Sequence, residues 1–249
     1  MTPAQQPGER VALLVTCLVE AMAPQVARAA AALLLASGVR EVVPITGCCG
    51  QPAWNSGHPG PARRMAKRLV RRLEGFERVV VPSGSCATML VRYYPHLFSG
   101  DPERTAAAQR LAARTSELSQ WLAARPAAIP PAEEPATMAL HTSCHALRGV
   151  GVGDAGVRCL AAAGHSVCPH AEATECCGFG GMFSIHQPDL AVAMADRKLE
   201  ALRRSGAATV VAGELGCLLH LEGRARRRGL SLRFRHLAEV LAPEEGPTS

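Results

Sequence analysis

The chain has 249 residues, 48% hydrophobic and 19% charged, and this balance excludes a disordered protein and allows one large domain or two of ordinary size. The net charge of +6 comes almost entirely from arginine, since Lys67 and Lys198 are the only lysines, and alanine is abundant. This composition is typical of a biased genome, so we do not take the charge as a sign of an anionic partner and expect no nucleic-acid partner. No segment reaches the roughly 20 apolar residues that a membrane-spanning helix needs. We therefore expect no transmembrane segment and a cytoplasmic location.

Strands and helices are predicted to alternate along the first half of the chain. Short valine-rich runs predict strands, and longer alanine-rich or amphipathic stretches predict helices. The predicted strands are 11–15, 41–45 and 78–82, and the predicted helices are 24–37, 61–73 and 104–122. A stretch rich in proline and alanine, 125–136, is the predicted linker to the second half.

The second half repeats this order of elements. Its predicted strands are 137–141, 165–168, 209–213 and 230–234, and its predicted helices are 154–163, 190–204 and 218–228, before a last apolar stretch at 237–241. The sequence thus predicts an α/β protein with two pseudo-symmetric β-α-β-α-β halves, 1–124 and 137–249, each with a parallel sheet.

Eight of the ten cysteines belong to a pattern, C…CCG…C, that occurs once in each half. The first quartet is Cys17, Cys48, Cys49 and Cys86, and the second quartet is Cys144, Cys176, Cys177 and Cys217. Each cysteine follows the carboxyl end of a predicted strand by only a few residues, except Cys176 and Cys177, whose loop is longer, and ligands of open parallel sheets bind at these ends. We therefore expect one compact site in each half.

Four thiolates at one sheet edge are open to several uses. Iron–sulfur clusters commonly take four cysteines. Structural zinc also takes four sulfurs, but usually from C-x₂₋₄-C pairs, and this sequence has no C-x-x-C. Vicinal cysteines fit thiol–disulfide exchange badly because they close a strained ring, and buried apolar cysteine does not explain a repeat. Iron–sulfur binding is the favoured interpretation, with zinc as the main alternative.

Glycines beside the vicinal cysteines favour an anionic ligand. Gly50 and Gly178 follow the two cysteine pairs, and Gly180 and Gly181 continue the second loop. Such loops allow close approach of backbone N–H groups to sulfur. We predict that these four glycines line the cofactor sites.

Three motifs carry a resemblance to a known family. They are Cys48-Cys49-Gly50-Gln51-Pro52-Ala53-Trp54-Asn55-Ser56-Gly57, Pro82-Ser83-Gly84-Ser85-Cys86-Ala87-Thr88-Met89 and Cys176-Cys177-Gly178-Phe179-Gly180-Gly181. The chain resembles the cysteine-rich CCG-domain proteins, and among them the lactate-utilisation protein A group, over nearly all of residues 11–241. Wider relatives include the iron–sulfur subunit of glycolate oxidase and the cysteine-rich subunit of heterodisulfide reductase.

The resemblance implies an iron–sulfur subunit of an oxidoreductase complex that oxidises L-lactate or a similar 2-hydroxy acid. It implies one or two [4Fe–4S] clusters per chain and companion subunits, one of them ferredoxin-like, with peripheral membrane attachment through those partners left open. No G-x-G-x-x-G both follows a predicted strand and opens a helix, so hydride chemistry is not expected in this chain alone. A cluster-based thiol–disulfide reductase and a non-redox zinc protein remain alternatives.

The sequence departs from the family's fuller motif at two positions. Met89 and His220 stand where that motif has a further cysteine, so each is a possible additional ligand. Four-cysteine clusters are therefore expected in place of unusual five-cysteine ones.

Two cysteines, Cys159 and Cys168, lie outside the repeat, and three histidines lie near the second set of cysteines. Cys159 is expected in the core, whereas Cys168 is a weak candidate for the second site. Among His141, His145 and His220, a hydrogen-bonding role is the default, and His220 is preferred by its position as a replacement ligand.

Overall fold

The computed structural model describes residues 9–242 and contains two four-stranded sheets in which every pairing is parallel. The polar ends of the chain, 1–8 and 243–249, lie outside the described residues. The first sheet contains β1 (Arg10–Thr16), β2 (Glu41–Gly47), β3 (Arg78–Val81) and β4 (Thr115–Glu117) in the order β2-β1-β3-β4. The second contains β5 (Thr137–His141), β6 (Ser166–Cys168), β7 (Thr209–Ala212) and β8 (Arg233–His236) in the order β6-β5-β7-β8. The predicted α/β class with parallel sheets is confirmed.

Helices connect the strands in both halves. The first half contains α1 (Cys17–Met22), α2 (Pro24–Ala36), α3 (Gln51–Asn55), α4 (Pro59–Leu73), α5 (Gly84–Thr88), α6 (Tyr94–Leu97), α7 (Pro102–Ala113) and α8 (Leu118–Ala123). The second contains α9 (Ala155–Ala162), α10 (Phe183–His186), α11 (Pro188–Arg204), α12 (Leu215–Arg227) and α13 (Leu237–Leu241). Two π-helical turns, Met89–Tyr93 and Ala146–Val150, and a 3₁₀ turn, Pro126–Ala128, complete the described helical segments.

The predicted helix 104–122 is wrong in its middle. It is divided into α7 and α8 by strand β4, which pairs with β3. The buried Glu117 side chain accepts a hydrogen bond from the backbone N–H of Ser119 and so begins α8 as a new helix. Periodicity did not reveal the break, because both helices and the strand continue one partly apolar pattern.

One apolar core joins the two halves. Leu33 and Trp121 of the first half lie in the same buried cluster as Leu160 and Leu237 of the second half. The helices α2, α8, α9 and α13 contribute to this cluster together with strand residues of both sheets. Burial of each large apolar side chain contributes about 1.5–3 kcal/mol. The halves are therefore packed against each other and share a core.

The backbones of the halves also approach closely beside the cysteines. A Cβ atom on Gly84 would lie 2.4 Å from Cβ of Ala146, and one on Gly149 would lie 2.1 Å from Oγ1 of Thr88. The Thr88 hydroxyl donates a hydrogen bond of 2.8 Å to the His145 carbonyl oxygen. Glycine is required at these two positions because α5 packs directly on the turn that follows Cys144.

Among residues 9–242, no helix has both the length and the apolar character needed to span a bilayer.

Candidate functional site

The four cysteines of the first quartet lie side by side. Cys17 begins α1, the vicinal pair follows β2, and Cys86 lies in α5, so strand ends carry all four to one edge. The Sγ atoms of Cys49 and Cys86 are 3.2 Å apart, and side-chain hydrogen bonds join Cys17 to Cys48 and Cys48 to Cys49.

The second quartet has the same arrangement. The Sγ atoms of Cys177 and Cys217 are 3.0 Å apart, and hydrogen bonds join Cys144 to Cys176 and Cys176 to Cys177. The order of contacts matches that of the first quartet, so the repeat in sequence is a repeat in geometry.

Glycine conformation shapes the loop at each vicinal pair. Gly50 has a φ of 85° and Gly178 a φ of 93°, values that side-chain-bearing residues rarely adopt. The Gly50 N–H donates to Cys48 Sγ and the Gly178 N–H to Cys176 Sγ, each at 3.4 Å. The two glycines thereby turn the chain and direct a donor at sulfur.

The other two glycines of the second loop have different neighbours. Gly180 and Gly181 both have positive φ values, and a Cβ on Gly180 would lie 2.7 Å from Cβ of Phe183. A Cβ on Gly181 would meet nothing within 4 Å, so only its backbone conformation favours glycine. Contact of these glycines with a cofactor stays a prediction.

Each quartet stabilises one thiolate. Hydrogen bonds from Cys17 and Cys49 lower the pKa of Cys48 to about 2, and hydrogen bonds from Cys144 and Cys177 lower that of Cys176 to about 2. The pKa values of those donating thiols are raised, first because each donates to the neighbouring sulfur and then because burial disfavours the thiolate. Thiolates are the form that binds metals, so each site has one ligand ready and gains the rest as a cation displaces protons.

Both quartets face one cavity of about 220 Å³. Three cysteines of the first quartet and all four of the second line it, together with apolar side chains such as Leu18, Phe179 and Leu215. The quartets are thus assembled within separate halves but open onto a common space.

Hydrogen bonds across the halves fix the relative position of the quartets. Glu214, three residues before Cys217, accepts from the Ser85 N–H at 2.8 Å and from the Ser83 hydroxyl at 3.0 Å. Ser83 is three residues before Cys86 and accepts from the Cys86 N–H. The carboxylate of one half therefore caps the cysteine-bearing helix of the other half.

Met89 and His220 are not brought into the sulfur contacts described above. Met89 is fully buried and packs in the apolar cluster that contains Cys49 and Cys86. His220 lies against Phe179, with ring centroids 6.0 Å apart, and burial lowers its pKa. Their role as ligands stays a prediction.

His141 lies beside two buried sulfurs of the second quartet. One of its ring nitrogens and the Sγ atoms of Cys177 and Cys217 all lie within 4.8 Å of one another. The residue is 0% exposed, and neither ring nitrogen has a hydrogen-bond partner among the described residues. The sequence favours His220 because it stands where the family's fuller motif has a further cysteine, whereas the signal for His141 is its place at the end of the inner strand β5.

Cys159 and Cys168 have contacts outside the quartets, whereas His145 lies near Cys144. Cys159 is buried in the shared core and donates to the Ser119 carbonyl oxygen, and Cys168 donates to that of Met138. The Nδ1 atom of His145 lies 3.7 Å from Cys144 Sγ. The two extra cysteines are thus outside the contacts that connect each quartet.

The donor set fits iron–sulfur clusters. Each quartet supplies four sulfurs, and backbone N–H groups of Gly50, Gly178 and Phe179 donate to sulfur, which stabilises an anionic cluster. The mixed group of one histidine and two cysteines also has zinc-type donors, so chemistry alone leaves zinc as the alternative.

Comparison with known proteins defines the class. The cysteine-rich domain family CCG matches residues 11–91 and 138–222, which contain both quartets. This chain therefore belongs to the CCG cysteine-rich domain proteins, with one copy of the domain in each half.

Within that class the chain belongs to the lactate utilization protein A family. It is 40% identical over 238 residues to lactate utilization protein A of Geobacillus kaustophilus, which covers 93% of this chain and 98% of the relative. It is 38% identical over 236 residues to the protein of the same name from an Exiguobacterium species, with 93% and 96% covered. The resemblance inferred from the motifs is confirmed.

A solved structure shares the fold. The crystal structure of a hypothetical protein from Helicobacter pylori superposes with a TM-score of 0.63 at 10% sequence identity. The match covers 97% of this chain and 50% of the other, so this chain corresponds to about half the length of that protein.

Proposed function

We propose that this chain is an iron–sulfur electron-transfer subunit of a complex that oxidises L-lactate or a similar 2-hydroxy acid to the oxo acid. The observation that carries the proposal is the assembly of two cysteine quartets that open onto one cavity. The name lactate utilization protein A, which the curated relatives bear, supports the substrate class.

The residues of each quartet have defined tasks in this proposal. Bound [4Fe–4S] clusters would supply one-electron transfer. The first quartet would hold one cluster and the second quartet, where both sites are filled, the other, and the N–H groups of Gly50 and Gly178 would offset negative charge on sulfur. The apolar side chains Leu18, Phe179 and Leu215 limit the access of water to the space between the quartets.

Substrate oxidation itself is assigned to companion subunits. Removal of two electrons and two protons from a 2-hydroxy acid needs a hydride or electron acceptor, and the dinucleotide fingerprint is not formed here. The one G-x-G-x-x-G string, 151–156, follows a π-helical turn and not a strand. We infer that partners, including a ferredoxin-like iron–sulfur protein, pass electrons to or from this chain.

Metal analysis tests the proposal directly. After anaerobic purification, we expect iron and acid-labile sulfide for at least one four-iron cluster per chain, with a matching electron paramagnetic resonance (EPR) signal after reduction by dithionite. With the companion subunits added, L-lactate should reduce that cluster. Stoichiometric zinc without sulfide would contradict the proposal.

The cavity favours a second candidate function, a cluster-based disulfide reductase. A space of about 220 Å³ between two quartets, with both apolar and polar walls, suits a small ligand. Reduction of a low-molecular-weight disulfide by the dithionite-reduced chain alone would favour this candidate. Reduction of the chain by lactate through its partners, with no disulfide turnover, would favour the first.

A further inference from the structure

The second quartet has a buried imidazole that the first quartet lacks. His141 lies three residues before Cys144, and the residue three before Cys17 is Leu14. Both residues are 0% exposed; His141 is the last residue of the inner strand β5, and Leu14 lies on the inner strand β1, two residues before its end. A polar ring with two unpartnered nitrogens therefore replaces an apolar side chain beside the Cys177 and Cys217 sulfurs.

A buried lysine makes a second difference between the two sites. The loop glycines lie against equivalent helices, Gly50 against Met65 of α4 and Gly178 against Met194 of α11. Four residues after each methionine the chain has Leu69 in the first half and Lys198 in the second. Lys198 is 0% exposed and Leu69 is 2% exposed, so an ammonium replaces an apolar side chain in the interior.

The contacts of Lys198 direct it at the second cysteine loop. Its Nζ donates to the carbonyl oxygens of Glu175, at 2.6 Å, and Glu172, both on the loop that leads to Cys176. Burial lowers the Lys198 pKa, and the nearby sulfurs of Cys177, Cys217 and Cys176 and the carboxylate of Glu172 act in the opposite direction. Lys198 therefore holds the loop and interacts electrostatically with three of the four sulfurs.

The first quartet has no matching buried cation among residues 9–242. Arg72 donates to the Thr46 carbonyl oxygen near Cys48, but its side chain is exposed, where solvent screens its charge. Tyr94 donates 2.9 Å to the Cys49 carbonyl oxygen and is neutral. The electrostatic environments of the two quartets therefore differ although their sulfur geometry is the same.

We propose that His141 and Lys198 give a cluster in the second quartet a higher reduction potential than a cluster in the first quartet. The proposal rests on the iron–sulfur function proposed above. Reduction adds one electron to a cluster, and a buried cation or an N–H donor near sulfur stabilises that added charge more than solvent-screened groups do. An electron given to the chain by a one-electron reductant then resides at the second site.

An EPR-monitored redox titration of the anaerobically purified full chain tests this, with dithionite as reductant and ferricyanide as oxidant. Cys177→Ser and Cys49→Ser assign each signal to its quartet. In the unmodified chain, we expect the second site to be reduced first. Lys198→Leu places the first-half residue type at this position and should lower the reduction potential of the second site. We expect a decrease of at least about 59 mV, which corresponds to a tenfold change in the one-electron equilibrium constant.

Matched variants separate charge from structure. Lys198→Arg keeps the cation and should keep the potential, whereas His141→Leu should lower it, and Leu69→Met in the first half should move neither potential. If Lys198→Leu loses iron, Lys198→Gln retains a donor for the two carbonyls without the charge and should show the lower potential. Potentials are compared only between proteins that contain the full amount of iron.

Several results would overturn the proposal. They are equal potentials in the unmodified chain, an unchanged second potential in iron-replete Lys198→Leu, or loss of the second cluster in both neutral lysine variants while Lys198→Arg retains it. The last result would make Lys198 a residue for cluster retention alone. Absence of iron and sulfide from the unmodified chain would instead refute the proposed function.

Discussion

The two vicinal cysteine pairs are supported in different ways. In the first half, β2 is seven residues long and leads directly to Cys48. In the second half, β6 is only three residues long, ends at Cys168, and is separated from Cys176 by a loop. The buried Lys198 holds this loop through two backbone carbonyls, where the first half relies on strand pairing.

This comparison shows that one sulfur geometry can be reached from two kinds of scaffold. A strand fixes its carboxyl end through ladder hydrogen bonds, and no buried charge is needed there. A longer loop has unpaired carbonyl groups, and a buried ammonium can satisfy them only at the cost of its own desolvation. The second site is therefore the more polar of the two and the more sensitive to substitution in its loop.

The largest expected effect comes from removing one ligand from each quartet in turn. Cys177→Ser should remove about four irons, one cluster, and leave the first-half EPR signal, and Cys49→Ser should do the reverse. Iron and sulfide per folded chain measure both. Loss of all iron from either single variant, with circular dichroism unchanged, would mean that the quartets share one site.

Alanine at the loop glycines should separate the two scaffolds by stability. A Cβ on Gly178 would lie 2.5 Å from the Ala191 carbonyl oxygen, whereas a Cβ on Gly50 would lie 3.2 Å from that of Ala62. Both positions have positive φ, so both substitutions cost stability, about 4 kcal/mol for Gly178→Ala and about 2 kcal/mol for Gly50→Ala. Urea unfolding measures the two values, and equal losses would contradict the closer packing of the second loop.

Glu117 and His236 are the N-cap residues of α8 and α13, each at the end of the last strand of its sheet. Their contributions to folding stability should depend on pH in opposite directions. Burial raises the pKa of Glu117 to about 7 and lowers that of His236 to about 4, and both side chains accept from a backbone N–H two residues on. In the pH range between the ordinary and folded pKa values of Glu117, the folded chain holds a proton that the unfolded chain has lost. Stability from the neutral Glu117 is therefore complete at low pH and is lost as pH rises through about 7.

For His236 the sign is reversed, because the unfolded chain takes up a proton that the folded chain excludes. Its stability contribution is present at neutral pH and is lost as pH falls from the ordinary histidine value through about 4.

Glu117→Gln should gain stability over the unmodified chain at pH 8, by at most about 3 kcal/mol, and much less at pH 5. His236→Asn should reduce the loss on acidification. Urea unfolding at several pH values measures both, and a pH-independent difference for either variant would argue against the assignment.

The smallest effect is expected at Met89. It is a buried residue in the apolar cluster beside the first quartet, and leucine has a similar volume. Met89→Leu should therefore retain the first cluster's iron and cost less than about 1.5 kcal/mol. Loss of the first EPR signal in a folded Met89→Leu protein would make the thioether a ligand.

The sequence alone determined the class of the fold and the grouping of the cysteines. Short valine-rich runs predict strands and longer amphipathic stretches predict helices, because backbone geometry sets the spacing of apolar residues in each. Strands that alternate with helices form parallel sheets, so this part of the fold could be predicted without knowledge of tertiary contacts. Cys48 and Cys49 could be grouped with Cys17 and Cys86 because cysteines after strand ends meet at one sheet edge. Strand β4 was missed, since three residues that continue a helical pattern become a strand only when β3 is available to pair with them.

Only the tertiary structure decided how the halves meet and what surrounds each quartet. The bond from Ser83 to Glu214 spans 131 positions, and the close packing of Gly84 on Ala146 also joins residues of different halves. Local sequence patterns carry no information on such pairs, because these contacts depend on how the amphipathic layers of the two halves pack together. For the same reason, the burial of His141 and Lys198 beside the second quartet became visible only when strand and helix faces were placed together.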